Sequence, residues 1–223
     1  MVDGVGQAYD AVAGVYVERF GRELIEDADA EPWLDRFVDL IDRSAGSVLD
    51  LGCGPGIGVH TLHERGLDAV GVDASGALLE AARAAFPHLA FRHGDFTRLD
   101  VRAGSVAGIL ARYSIIHVAP DELDEVVAEW ARVLRADAPV LLFFFASRHP
   151  DDHGRPFDHA VMTAHELFPA TLAVVLERNG FVALDAGAAP PPEGGRPFGK
   201  GVVLARRAAA TAVSDGRRLD PRR

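Results

Sequence analysis

The stretch Val48-Leu49-Asp50-Leu51-Gly52-Cys53-Gly54-Pro55-Gly56-Ile57-Gly58 decides the fold. A loop, Ala45-Gly46-Ser47, precedes it, and Val59, Leu62 and Leu67 follow at apolar spacing suited to a helix. The expected sequence of events is a short buried strand, a glycine turn and a helix that runs to about Gly66. Glycine lets a backbone approach a ligand because no Cβ stands in the way. The unpaired N–H groups at a helix start then face that ligand. A guest with an adenosine or a phosphate suits such a turn; the plainer alternative is an ordinary strand-to-helix connection.

Spacing narrows the guest. The dinucleotide pattern G-x-G-x-x-G needs a third glycine at Ile57, Val59 or Thr61, and none is glycine. Asp50 stands two residues ahead of Gly52, and the turn reads Gly52-Cys53-Gly54-Pro55-Gly56. A second strand, 68–73, ends in Asp73, 21 residues after Gly52. An acid at that point bonds ribose hydroxyls in nucleotide-binding α/β folds. Ser75 competes for the helix cap, which favours Asp73 and its neighbour Ala74 as ligand contacts. A third strand, 89–93, leads into Gly94-Asp95-Phe96, and a fourth, 106–111, into Arg112-Tyr113-Ser114-Ile115-Ile116-His117. Strand ends of this kind line the crevice of an open sheet, so Arg112 to His117 belong beside the ligand. His117 titrates near working pH and is a candidate general base; a rim residue is the alternative.

Asp50 with its glycines, Asp73 and Asp95 at three successive strand ends resemble class I S-adenosylmethionine-dependent methyltransferases of the small-molecule type. The order of elements from about Gln7 to Arg206 is similar too. The resemblance implies an α/β, Rossmann-like, doubly wound sheet of seven strands, mostly parallel with the last antiparallel, and helices on both faces. It implies S-adenosylmethionine as cofactor, with Gly52, Gly54 and Gly56 in the turn and Asp50 placed to meet a cationic amino group. Asp73 then takes the ribose, Asp95 the adenine amino group, and the backbone at Phe96 faces the ring. Tyr9-Asp10-x-x-Ala13-x-x-Tyr16-x-x-x-Phe20 is similar to the leading helix of many relatives, which implies that Tyr16 closes on the ligand. Arg112 is placed beside the sulfonium. The implied reaction is in-line displacement onto a small-molecule acceptor whose reacting atom, O, N or C, stays open. Positioning supplies most of the rate, and His117 would take the proton. The family's DNA and protein-arginine signatures are absent between Arg112 and Pro120. Two other readings stand beside this one: a nicotinamide-dependent oxidoreductase, which the missing third glycine and Asp95 disfavour, and a non-catalytic S-adenosylmethionine-binding protein.

The remaining elements frame that centre. Tyr9, Val12, Ala13, Tyr16 and Phe20 mark one face of a helix over 7–20, and Leu34, Phe37, Val38 and Ile41 mark another over 29–43. Residues 1–44 are expected to cap the cofactor site, 45–206 to form the methyltransferase domain, and 207–223 to be a disordered basic tail. Helices are expected to end near Phe86 and to span Pro120–Arg135 and Pro169–Asn179. Strands are expected at 140–145, 181–184 and 201–205. Gly194-x-x-x-x-Gly199-Lys200 fails as a phosphate loop, because Gly201 replaces the required Ser or Thr. The acids and histidines of 149–156 match no metal spacing, so no metal is expected and a solvated loop or substrate lid is preferred.

Composition agrees. With 223 residues, 48% hydrophobic, the chain suits one domain with a packed core. No apolar run reaches membrane length, and no signal peptide is expected at the N-terminus. Cys53 is the only cysteine, which fits a reducing cytoplasm. The net charge is -10 although six arginines crowd residues 206–223, so an acidic body disfavours nucleic acid as a partner. A monomer or homodimer is expected.

Overall fold

The fold was analysed in a computed structural model that describes residues 2–18, 29–191 and 198–209. Seven strands form one sheet in the order β3-β2-β1-β4-β5-β9-β8. They are β1 (Val48–Leu51), β2 (Ala69–Asp73), β3 (Ala90–His93), β4 (Gly108–Arg112), β5 (Pro139–Ala146), β8 (Phe181–Ala189) and β9 (Gly199–Arg207). The first five pair in parallel, and β9 runs antiparallel to both β5 and β8. This is the expected sheet. Its strand order reverses between β1 and β4, and the crevice of an open α/β sheet lies at that reversal.

Helices cover both faces. On one, Leu34 and Phe37 of α3 (Glu31–Asp39), Val59 and Leu62 of α4 (Ile57–Glu64) and Leu79 and Ala82 of α5 (Gly76–Ala85) pack on Val48, Leu110 and Leu141. On the other, Val126, Val127 and Trp130 of α6 (Leu123–Val133) and Leu172 and Leu176 of α7 (Pro169–Arg178) pack on Leu49, Ile109 and Leu142. Strand β5 is apolar on both sides because both faces of the sheet are covered.

Several boundaries differ from expectation. The single N-terminal helix is two pieces, α1 (Val2–Asp10) and α2, described over residues 13–18. The Val12 N–H bonds Tyr9 O instead of continuing the helical ladder, which turns the chain at Ala11–Val12. Phe20 lies outside the described residues. Among the described residues of 1–44, Val5, Tyr9 and Tyr16 line the crevice, whereas Leu34 and Phe37 of α3 are buried in the sheet's own core. Arg207, expected in the basic tail, instead ends β9, and its guanidinium bonds Gly180 O and Ala131 O. Residues 210–223 of that tail, and Gly194 of the rejected phosphate loop, lie outside the described residues.

The polar loop after β5 holds structure that no apolar pattern announced. A 3-10 turn, Pro150–Asp152, leads into a two-stranded hairpin of β6 (Pro156–Asp158) and β7 (Thr163–His165). Among the described residues, no helix is long and apolar enough to cross a membrane.

Candidate active site

The turn after β1 is built from three glycines with three different surroundings. A Cβ on Gly52 would strike Ser114, whose hydroxyl donates to Leu51 O at 2.6 Å. A Cβ on Gly56 would strike Phe91 and Ala82 in the core. Gly54 alone of the three has no atom within 4 Å of that position. Its backbone therefore lies open to the crevice, and its φ of 51° is left-handed. Gly52 and Gly54 line the cavity there; Gly56 does not, so its glycine serves packing.

Asp73 fastens this turn. One carboxylate oxygen accepts from the Gly54 N–H at 2.7 Å, the other from the Ser75 N–H at 2.8 Å. Burial raises its carboxyl above the ordinary range against the pull of these bonds. Ser75 caps α5 by accepting from Leu78 N and donates to Asp10 at the end of α1. The Asp10 carboxylate also accepts from Ala77 N, and Gly6 leaves α1 room to lie against Ala74 O. The N-terminal helix is thereby tied to the Asp73 end of the crevice.

Asp50 lies beneath the turn and not on the cavity wall. It is 2% exposed, and its Oδ1 has no hydrogen-bond partner. Gly58 of α4 has no Cβ to occupy the place of that carboxylate. Burial pushes the carboxyl up to about 7; Arg112 and the Val59 N–H pull down, and Asp73 pushes further up. A buried, under-bonded carboxylate below an open glycine backbone suits a cation arriving above it.

The cavity encloses about 260 Å³. Of the expected contacts, Tyr16, Asp73, Ala74, Phe96, Arg112 and His117 line it, with Gly52 and Gly54. Asp95 stands outside the wall: its Oδ1 accepts from the Thr97 N–H at 2.7 Å and hydroxyl at 2.6 Å, and Phe96 and Thr97 form the wall instead. Phe96 is fixed by its carbonyl, which accepts from Trp130 Nε1. Tyr113 follows Arg112 at φ 58°, a left-handed backbone that costs a side chain of this size about 1–3 kcal/mol. That kink turns the chain from β4 into the 3-10 turn Ile115–His117.

Tyr9, like Thr97, lines the cavity without having been assigned to the site from sequence. It is 9% exposed and meets Tyr16 edge to face at 5.3 Å. Its hydroxyl lies 2.8 Å from His117 Nε2. His117 Nδ1 lies 3.2 Å from Thr163 O. A carbonyl only accepts, so Nδ1 carries the proton and Nε2 receives the Tyr9 O–H. Burial pulls His117 below its ordinary value; the Thr163 bond acts upward and His165 downward. Among the described residues, no group of three or more His, Cys, Asp or Glu is placed to hold a metal.

A family model described as a methyltransferase domain matches residues 48–137, from β1 through α6 and just beyond. A probable S-adenosylmethionine-dependent methyltransferase of Mycolicibacterium smegmatis is 31% identical over 163 residues, covering 71% of this chain and 62% of that protein. Residues 48–137 carry a methyltransferase domain, and the chain is similar to S-adenosylmethionine-dependent methyltransferases over most of its length. The family's cofactor has a sulfonium and an amino group, both cationic, and an adenosine. The open Gly54 backbone, the under-bonded Asp50 and the aromatic wall of Tyr16 and Phe96 fit those groups. A methyltransferase from Mesorhizobium loti superposes with a TM-score of 0.64 at 19% identity, covering 82% of this chain and all of that one. The [4+2]-cyclase SpnF superposes with a TM-score of 0.71 at 15% identity, covering 94% and 98%. These two likenesses establish the fold alone. The chain spans less than two thirds of the length of the first curated relatives it matches.

Proposed function

We propose that this chain binds S-adenosylmethionine above the Gly52–Gly56 turn and transfers its methyl group to a small-molecule acceptor. One observation carries the reading: a single cavity holds both the Gly54–Asp73 cradle and the Tyr9–His117 pair. When bound, the cofactor supplies a methyl carbon already activated by its sulfonium. Gly54 gives the ligand room at the turn, and Asp73 offers its carboxylate to ribose hydroxyls. Ala74, Leu78, Phe96 and Thr97 make the wall for the adenine end. Asp95 acts through Thr97 on this reading, and Asp50 balances the amino group's charge from below. Tyr16, Tyr113 and Met162 exclude water and hold the acceptor in line, the main source of acceleration in such a displacement.

His117 accepts the proton of an O–H or N–H acceptor at Nε2. Two routes reach that atom: Tyr9 swings aside, or Tyr9 takes the acceptor's proton on Oη while passing its own to Nε2. The Nδ1–H stays on Thr163 O in either case, which supports the imidazolium that forms.

A second reading remains, because the same fold is found in a [4+2]-cyclase. On that reading this chain would be a non-catalytic S-adenosylmethionine-binding protein, since the fold by itself does not establish transfer. Incubation with methyl-labelled S-adenosylmethionine and a panel of phenol, amine, carboxylate and enol acceptors tests the proposal. Label on an acceptor that depends on His117 supports it. Cofactor binding with no transfer across the panel favours the non-transferring reading.

A further inference from the structure

His117 is held from behind by the β6–β7 hairpin. Its Nδ1 bonds Thr163 O, and two residues along β7, His165 Nδ1 lies 3.3 Å from Ile116 O. Ile116 O only accepts, so His165 Nδ1 is the donor. Successive residues of the 3-10 turn are thus bonded to alternate residues of one strand. The hairpin is anchored in turn. Phe157 of β6 packs 5.7 Å from Phe145 of β5 and 4.2 Å from Phe198, ring centre to ring centre. The chain leaving β7 bonds β5 and its end through Leu167 N to Phe145 O and Ser147 N to Leu167 O. Arg155 and the buried Glu166 pair at 2.8 Å across its base.

We propose that Thr163 and His165 are positioning residues, whose paired bonds to the 115–117 turn hold His117 in the Nδ1–H tautomer with its Nε2 lone pair facing Tyr9 and the cavity. Without them the ring has no fixed partner on its far side, and either nitrogen can carry the proton. The titratable groups facing His117 are Tyr9 from α1, and His159 and His165 from the hairpin; Arg112, Glu122 and Glu125 lie on the same cavity. His165 does two things at once: it fixes the turn, and when charged it opposes a charge on His117. The inference rests on the proposed function only for what the lone pair is used for.

Long-range 1H–15N spectra of the full-length chain read the tautomer directly, with no ligand present. The wild type should show His117 as the Nδ1–H form alone. His165→Asn keeps a side-chain N–H near the place of Nδ1 and loses the charge, so the tautomer should persist while the His117 pKa rises. His165→Ala loses both, and a measurable Nε2–H fraction should appear. Backbone amide spectra establish that each variant is folded, and the wild-type tautomer stands as a test even if the Ala variant is not. An Nε2–H wild type, or an Ala variant with the wild-type tautomer, overturns the proposal. The expected tautomer in a protein that transfers no methyl group would sink the functional reading and leave this one standing.

Discussion

Tyr9 Oη donates to His117 Nε2 at 2.8 Å, joining α1 to the turn after β4 across 108 residues of sequence. Burial pushes the Tyr9 phenol far above its ordinary range, with Tyr16 and Asp73 adding to the effect, and it pulls His117 down. At neutral pH the phenol is therefore protonated and the imidazole neutral. The direction of the bond is fixed by that pairing. If Tyr9 serves proton transfer, Tyr9→Phe should lower kcat about 10-fold or more and leave affinity for S-adenosylhomocysteine within about 3-fold. Equal losses in both would make Tyr9 a wall of the cofactor pocket instead.

His117→Ala should lower kcat by about 10²-fold and leave cofactor affinity alone. The deficit should shrink as pH rises, because the acceptor then ionises unaided. Burial holds His117 below its ordinary value of 6.5, so the acid limb of the wild-type pH–rate profile should lie below that point. An acid limb above 6.5 that survives in the Ala variant would assign the proton to another group.

The three glycines of the turn should respond differently. Gly54→Val meets no protein atom within 4 Å at its Cβ, so it should block the cofactor and leave a folded protein, at some cost for its φ. Gly56→Ala drives a methyl group into Phe91 and Ala82, so it should lower the thermal midpoint. Circular dichroism melts beside cofactor titrations separate the two effects. The reverse pattern would mean that the turn faces the other way.

Asp50 predicts a pH dependence of stability. Its carboxyl stands at about 7 in the fold against 3.8 unfolded. The native state therefore binds that proton more tightly, and its contribution is fully present below about pH 3.8 and lost as pH rises toward 7. Asp50→Asn should raise the thermal midpoint relative to wild type at pH 8, and the advantage should vanish near pH 4. A variant that is less stable than wild type at pH 8 would mean that the ionised Asp50 is stabilised in the fold by Arg112 instead of penalised by burial.

The parts of this site that were legible in sequence are those set by local chemistry. Asp50, the glycines and Asp73 sit at strand ends, where an apolar run stops and a turn begins. Helical periodicity put Tyr9 and Tyr16 on one face but could not report the break at Ala11–Val12 that sets their rings edge to face. Nor could it report that Tyr9 meets a histidine 108 residues away. The β6–β7 hairpin escaped because its strands are three residues long, too short for alternation to register, and follow a polar stretch. Strand β8 runs to Ala189, well past the expected Leu184, because an exposed edge strand of Ala, Gly and Asp shows no apolar pattern. The Gly94-Asp95-Phe96 motif was read by type. The Asx turn that gives its place on the wall to Thr97 depends on which way one carboxylate points.

Calorimetric titration of the full chain with S-adenosylhomocysteine tests the central claim most directly, with NAD as the contrast and Asp73→Ala as the variant. We expect one site per chain for S-adenosylhomocysteine and no heat of binding for NAD. In Asp73→Ala the affinity should fall by about 10- to 100-fold, since hydrogen bonds to a charged acceptor are lost. No binding of S-adenosylhomocysteine, or unchanged affinity in a folded Asp73→Ala variant, would contradict the placement of the cofactor above the Gly52–Gly56 turn.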